Sequence, residues 1–365
     1  MRLKKGPPDF ILFITSITLM GIGLVMVFSS SAVTANVNYG DAYYFFKKQL
    51  MWAIISIVAL IVVMKLNFLR LKDFAIPLMV IAVVCLILVI PLGIEVKGAV
   101  RSFAVGPVRF SPSELSKIAM VMFLARSLDI KSDNISSFTK GVLPFLVMLV
   151  LICGLIMLQP DLGTSFTIAA TVFFMLMIAG AQWIHLGLIT LSGVVAVGAA
   201  IILEPYRMER VVAFMNPWKY ASDEGFQTIQ SLYALGSGGL FGMGLGRSRQ
   251  KFFYLPEQHT DFIFAILGEE LGFIGAFLVV TLFLLFAWRG FKIAINAPDN
   301  FSRLLAAGVT IIITFQAAIN IGVVAGALPV TGITLPFISY GGTSLLFTMV
   351  GVGLLLNISR YSSQS

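Results

Sequence analysis

The chain is predicted to be an all-α polytopic membrane protein, a bundle of ten transmembrane helices with one long extracellular loop at about residues 204–260. Three observations predict it. Of 365 residues, 58% are hydrophobic and 12% charged, against roughly 25% charged in a soluble domain. The mean hydropathy is +0.97. Apolar runs of about 18 residues or more recur along the whole length. They imply one integral-membrane domain over residues 1–365, with no room for a large soluble one.

The first span is read at 10–33. Its apolar run exceeds a signal-peptide core and lacks a small-residue cleavage site, so it is expected to persist as a helix. Spans two to four come next, at 49–66, 74–93 and 112–128. Ser111-Pro112-Ser113-Glu114 opens the fourth as a capping box, with proline at the first helical position and a carboxylate at the third. Spans five and six, 141–159 and 162–180, are parted by Gln159-Pro160-Asp161-Leu162-Gly163-Thr164. There Pro160 and Gly163 interrupt the helix, and Asp161 can cap span six. Span seven covers 184–203. Span eight, 262–288, starts after Thr260 or His259 as cap, which puts Asp261 in its first turn. Spans nine and ten cover 303–326 and 339–358. Cys85 and Cys153 lie inside apolar runs, so no disulfide is expected.

Basic residues orient the bundle. With both termini in the cytoplasm, the inner side holds Arg2, Lys4, Lys5, Lys65, Arg70, Lys72, Arg126, Lys131, Lys140, Arg289, Lys292, Arg303 and Arg360. The short outer loops hold only Lys47, Lys48, Lys97, Arg101 and Arg109, which is the inside-positive asymmetry. The net charge of +8 is read mainly as this bias, with affinity for anionic lipid or a phosphorylated substrate as the other reading. Loop 204–260 is too long to decide topology by its charge. A loop of that length is usually functional, and short amphipathic or re-entrant helices on the outer leaflet are expected in it.

Four segments can carry chemistry. In Pro256-Glu257-Gln258-His259-Thr260-Asp261, Asp261 has two readings. It can stabilise a helix dipole, worth about 0.3–1 kcal/mol, or act as a general base at the membrane–water boundary. Glu257 and His259 can orient a substrate, bind a divalent cation or cap the helix. Glu269 and Glu270 lie deeper, and one is expected to meet a buried cation or a freed backbone amide. Lys117, about 8 Å below the start of its helix at 1.5 Å per residue, shares a face with Glu114 and can also reach Asp161. A structural ion pair and a phosphate-binding lysine are both open. Ser339-Tyr340-Gly341-Gly342 lets a backbone or ligand approach closely, with helix packing as the competing reason. The run Gly236–Gly246 is glycine-rich but fits no nucleotide-binding spacing, and no zinc-binding motif occurs.

Together these segments resemble the SEDS family, the shape, elongation, division and sporulation proteins. The resemblance spans essentially the whole chain. It is carried by residues 98–103 (GAVRSF), 111–117 (SPSELSK), 159–164 (QPDLGT), 216–218 (NPW), 225–272 and 319–346. The segments LGRSRQK, KFFYLPE and NISRY resemble the FtsW and SpoVE branch more than RodA. The chain departs from the family at Ser102-Phe103, where a tryptophan is common, and at Ser111, where glutamine is common.

The resemblance implies a peptidoglycan glycosyltransferase of the cytoplasmic membrane that polymerises lipid II at its outer face. In it the acceptor GlcNAc 4-hydroxyl attacks the donor MurNAc C1 with inversion and releases undecaprenyl pyrophosphate. It implies Asp261 as catalytic residue and Arg101, Glu114, Lys117 and Asp161 as functional ones. The residues expected on the substrate are these four with Arg210, Lys251, Glu257, His259, Ser339, Tyr340, Gly341 and Gly342; the loop cations suit its pyrophosphate. A divalent cation, Mg or Mn, is a further expectation, with Glu257 and Asp261 as ligands; no organic cofactor is expected. The partners implied are a class B penicillin-binding protein, whose helix is expected on spans eight and nine near Ala306, Ala307 and Gly308, and other division or sporulation membrane proteins; no nucleic acid is expected. A lipid II flippase and a non-catalytic scaffold are the alternative readings. Ionisable residues gathered near one face, not along a central path, weigh against the flippase.

Overall fold

In the computed structural model, residues 6–67, 70–96, 99–106 and 108–361 are described. Arg2, Lys4, Lys5 and Lys97, counted for orientation, lie outside them. The helices are α1 (Phe10–Tyr39), α2 (Tyr44–Lys65), α3 (Leu71–Leu92), α4 (Pro112–Ile130), α5 (Leu143–Met157), α6 (Leu162–Ile178), α7 (Trp183–Ile202), α8 (Pro205–Met215), α9 (Phe226–Gly238), α10 (Ile263–Ile295), α11 (Asn300–Val324) and α12 (Gly342–Ser359). Every predicted span falls on a helix. Among the described residues, eight helices are long and apolar enough to cross a membrane, α5 together with the turn before it. The chain is therefore a multi-pass membrane protein. The two predicted spans outside that set are α6, an apolar helix of 17 residues, and α4, which carries Glu114, Lys117, Arg126 and Asp129. Most of α4 is buried in the bundle, where its charges find protein partners instead of lipid.

The all-α architecture holds, with one minor addition at residues 94–110. Strands β1 (Ile94–Val96), β2 (Ala99–Val105) and β3 (Val108–Phe110) form an antiparallel meander in the order β1-β2-β3. The β-formers Val100, Phe103 and Val105, in a run too short for a span and followed by Gly106-Pro107, are the strand and turn signals that the helix-period reading passed over.

Helix α11 is the central post, packed by α4, α6, α9 and α10. This corrects the partner face proposed from sequence. Ala306 and Ala307 are buried, and a Cβ on Gly308 would stand 2.6 Å from Met175 Sδ and 2.7 Å from Val121 Cγ1. Small residues there serve packing within the bundle. The outward apolar face belongs to α10, at Phe273, Ile274, Phe277 and Leu278. Helix α12 lies against α2, and Gly342 sits under the Trp52 indole, leaving no space for a side chain.

Helix α10 is broken at Gly272, whose φ of 67° and ψ of −167° are not helical. A break inside a membrane bundle must re-satisfy the backbone groups it frees. The glycine-rich run after α9 does so. Phe273 and Ile274 N–H donate to the carbonyls of Gly239 (2.8 Å) and Leu240 (3.2 Å). Met243 and Gly244 N–H donate to the carbonyls of Glu269 and Glu270, both at 3.0 Å. The glycine-rich run Gly236–Gly246 is thus the backbone partner of this break. Residues 263–270 are a buried half-helix, and exposure to the surroundings begins at Phe273.

The opposite end of the bundle is laced together. Asp9 caps α1 through Leu12 N–H and pairs with Arg289 of α10. Its own N–H donates to Ser359 Oγ at 3.0 Å. Asn357 Nδ2 donates to the carbonyls of Val63 (2.8 Å) and Leu66 (3.1 Å) at the end of α2.

Candidate active site

Asp261 lies in the turn before α10, not in its first helical turn; the cap position is Phe262, which gives no side-chain cap. The carboxylate is half-buried, and its turn is held from three sides. Tyr340 N–H donates to His259 O at 2.9 Å, Ser339 Oγ to Thr260 O at 2.6 Å, and Asn320 Nδ2 to Asp261 O at 2.7 Å. Three successive carbonyls are thus fixed by residues of the α11–α12 region. Within the turn, Thr260 Oγ1 donates to Glu257 Oε2 at 2.8 Å. Gln258 Nε2 ties it to α1 through Thr34 Oγ1 at 2.8 Å and Ser30 O at 3.2 Å.

The Ser339–Gly342 segment is held in turn by α2. Gln49 Nε2 donates to Ser339 O at 3.3 Å, and Gln49 Oε1 accepts from Gly341 N–H at 3.2 Å. Phe45, one turn away, places its ring 4.6 Å from that of His259 and 5.1 Å from that of Tyr340. Burial, reinforced by the nearby Tyr44, pushes the Tyr340 phenol up to about 12, so it stays protonated. These contacts give Ser339, Gly341 and Gly342 a scaffolding task beside the carboxylate.

Lys117 is buried, as its depth in α4 implies. Its Nζ stands 2.8 Å from Glu114 Oε2 and donates to Gln316 Oε1 at 2.7 Å. The proposed reach to Asp161 is not made. Asp161 instead caps α6, accepting from Thr164 N–H at 3.0 Å and Thr164 Oγ1 at 2.8 Å. Nor does the capping box of α4 close. Ser111 occupies the cap position, but its hydroxyl meets Ser113 Oγ at 3.0 Å and Arg101 O at 3.4 Å, and Glu114 turns to Lys117. Arg101, presented by β2, donates through Nε to Gln159 O at 2.9 Å and through Nη2 to Pro160 O at 2.5 Å. It therefore clamps the α5–α6 break one residue before Asp161.

One stretch, residues 331–334, joins these clusters. Gln316 Nε2 donates to Thr334 O at 2.9 Å, and Asn320 Nδ2 to Ile333 O at 2.7 Å. A Cβ on Gly332 would lie 3.8 Å from Asp261 Oδ2, and one on Gly163 of α6 would lie 2.6 Å from Ile333 Cγ1. Asp261, the Lys117 pair and the start of α6 thus converge on four residues. Sequence reasoning missed Gln316, Asn320 and Gln49. The available signal was an amide pair four apart, on one face of an otherwise apolar span.

Two loop cations stand apart from this centre. Lys251 is buried, with Nζ 3.0 Å from Glu270 Oε1 and 3.5 Å from Ser29 Oγ, so it is an internal strut and not an exposed anion receptor. Glu269 accepts from Ser248 Oγ and from the N–H groups of Arg249 (2.9 Å) and Gln250 (3.3 Å). The adjacent carboxylates therefore nail the long loop to the buried half-helix, one through a cation and one through loop amides. Arg210 pairs with Glu224 at 3.4 Å along an open groove of about 830 Å³ between α8 and the loop before α9. The groove's lining extends to Pro256, next to Glu257.

Among the described residues, no group of three or more His, Cys, Asp or Glu side chains is placed to hold a metal ion. Glu257 and Asp261 can offer two carboxylates, which is what a magnesium-like ion carrying substrate phosphates asks of a protein.

The family described as cell cycle protein FtsW/RodA/SpoVE matches residues 10–364. Stage V sporulation protein E of Bacillus subtilis (strain 168) is 48% identical over 99% of this chain and 100% of its own length. The probable peptidoglycan glycosyltransferase FtsW of Trichlorobacter lovleyi is 42% identical over 96% of this chain and 93% of its own. Among solved structures, a chain from work on structural coordination of polymerization and crosslinking by a peptidoglycan synthase complex superposes with a TM-score of 0.82. It is 30% identical, over 97% of this chain and 98% of that one. A match of that extent, over a helical bundle that brings the motif residues 114, 117, 261 and 332 to one region, makes this chain a member of the FtsW, RodA and SpoVE family of cell cycle proteins.

Proposed function

We propose that the protein is a peptidoglycan glycosyltransferase that polymerises lipid II at the outer face of the cytoplasmic membrane, with both termini inside. The observation that carries this reading is the Asp261 turn: a half-buried carboxylate on a peptide fixed by three consecutive hydrogen bonds, next to the segment that also holds a buried lysine. Fixed geometry is what a general base needs, because its proton acceptor must stay within hydrogen-bond reach of the acceptor hydroxyl. In the step proposed, the GlcNAc 4-hydroxyl gives its proton to Asp261 as its oxygen bonds to MurNAc C1. The C1–pyrophosphate bond breaks, its electron pair leaves with undecaprenyl pyrophosphate, and the anomeric centre inverts. Lys117 and Arg101 supply positive charge to the region, and His259 and Tyr340 supply an aromatic wall. A divalent cation, Mg or Mn, held by Glu257 and Asp261 would sit on the acceptor side and favour loss of the hydroxyl proton.

The partner we propose is a class B penicillin-binding protein that crosslinks the strands, with its membrane helix on the outward face of α10 at Phe273, Ile274, Phe277 and Leu278. Its outer domain would rest on the long loop, within an assembly of division or sporulation membrane proteins. Purified protein supplied with lipid II and partner should make polymer. Asp261→Asn and Asp261→Ala should make none while keeping the wild-type melting temperature and partner binding. Polymer at the wild-type rate from a folded Asp261→Ala protein would sink the base. The same assay with EDTA, then with Mg or Mn restored, reads the cation.

A further inference from the structure

We propose that Asn320 is a positioning residue of the transferase site, acting on the Asp261 peptide. The proposal rests on Asp261 being the base. Asn320 is buried in α11, and its Nδ2 reaches two carbonyls at once, Asp261 O and Ile333 O, each at 2.7 Å. Because both neighbours are acceptors, only the NH₂ end of the amide can face them, which fixes its orientation. Asn320 Oδ1, meanwhile, is buried with no hydrogen-bond partner. A buried oxygen left unbonded is unfavourable and calls for a reason. A residue present for packing alone would be apolar here, as Ile319 and Val323 beside it are. The two-carbonyl clamp supplies the reason.

The clamp also fixes what Asp261 is measured against. Gln316, one turn earlier on α11, grips Lys117 Nζ with its oxygen and Thr334 O with its amide. The carboxylate's peptide and the buried cation are thus referenced to consecutive peptide units, Ile333 and Thr334, by side chains about 6 Å apart in helix rise. A displacement of about 1 Å at a reacting group costs roughly 100-fold in rate.

The test uses full-length protein with its partner and lipid II, reading kcat, KM and melting temperature. Asn320→Ala removes the clamp. Asn320→Asp keeps the shape but replaces the two donor hydrogens with an acceptor. Asn357→Ala is the control, since Asn357 is equally buried and also donates to two carbonyls, those of Val63 and Leu66 at the other end of the bundle. Both Asn320 variants should lower kcat about 30- to 100-fold with KM within about threefold, the signature of a displaced reacting group. Asn357→Ala should lower the melting temperature similarly with kcat within about threefold. A kcat loss in the Asn320 variants no larger than the control's, or a loss carried by KM, overturns the proposal. Unimpaired kcat in Asp261→Ala overturns the base reading beneath it and this proposal with it; the Asn320 variants, measured with Asp261 intact, separate the two failures.

Discussion

Lys251 shows what burial asks of a single charge. Its ammonium has left water and meets Glu270 at 3.0 Å, with both side chains almost fully covered. Removing one partner of such a pair strands the other, at a cost of about 3–5 kcal/mol, whereas replacing both with apolar groups is often neutral. Lys251→Ala should therefore lower the melting temperature sharply, and Lys251→Met combined with Glu270→Leu should recover most of it. A midpoint unchanged in the single variant would show that the pair carries no weight. The residue scale is also where sequence reading succeeded unevenly. Asp161 as a cap, and Glu269 and Glu270 as anchors, are legible from position along a helix, which local sequence encodes. The burial of Lys251 is not legible from its place in a polar loop, because only the folding of that loop onto α10 removes it from water.

At the scale of elements, apolar runs locate helices because every spanning segment must be apolar over a bilayer's thickness. They do not locate breaks within a run. Span eight reads as continuous from 262, yet α10 is interrupted at Gly272 and its first half is interior. Gly272 and the glycines before it were visible, but their pairing links residues more than twenty-five positions apart, and no local pattern records that. A side chain at Gly272 would face a positive φ and meet Gly242 N and the Leu240 carbonyl, which are backbone atoms that cannot swing aside. Gly272→Ala should thus loosen the loop from the half-helix. Limited proteolysis should then cut within residues 239–260 much faster than in the wild type, while helical content holds. Equal cleavage rates would mean that the break tolerates a side chain. The small sheet at 94–110 escapes for the opposite reason: its β-formers and the Gly106-Pro107 turn are local signals, but a reading tuned to long apolar runs discards short strands.

At the scale of the whole molecule, the long loop between α7 and α10 is a folded layer pinned to the bundle by buried carboxylates. A partner resting on that layer would bias the arrangement of the Asp261 turn, since Gln258, Lys251 and Glu270 join loop and helices in one network. Polymerisation in one detergent should therefore be several-fold faster with the cognate partner than without it; equal rates would remove the activation while leaving association intact. The fit of α12 against α2 has a consequence in time. Gln49 and Ser339, which bond each other, stand 290 positions apart, and at roughly 5–20 residues per second the ribosome needs on the order of 15–60 s to supply the second after the first. Throughout that interval Trp52 has no glycine to cover and Gln49 no peptide to hold. Helix α2 must wait in the membrane for α12, so the nascent chain should lean on lipid or on an insertion chaperone until α12 arrives.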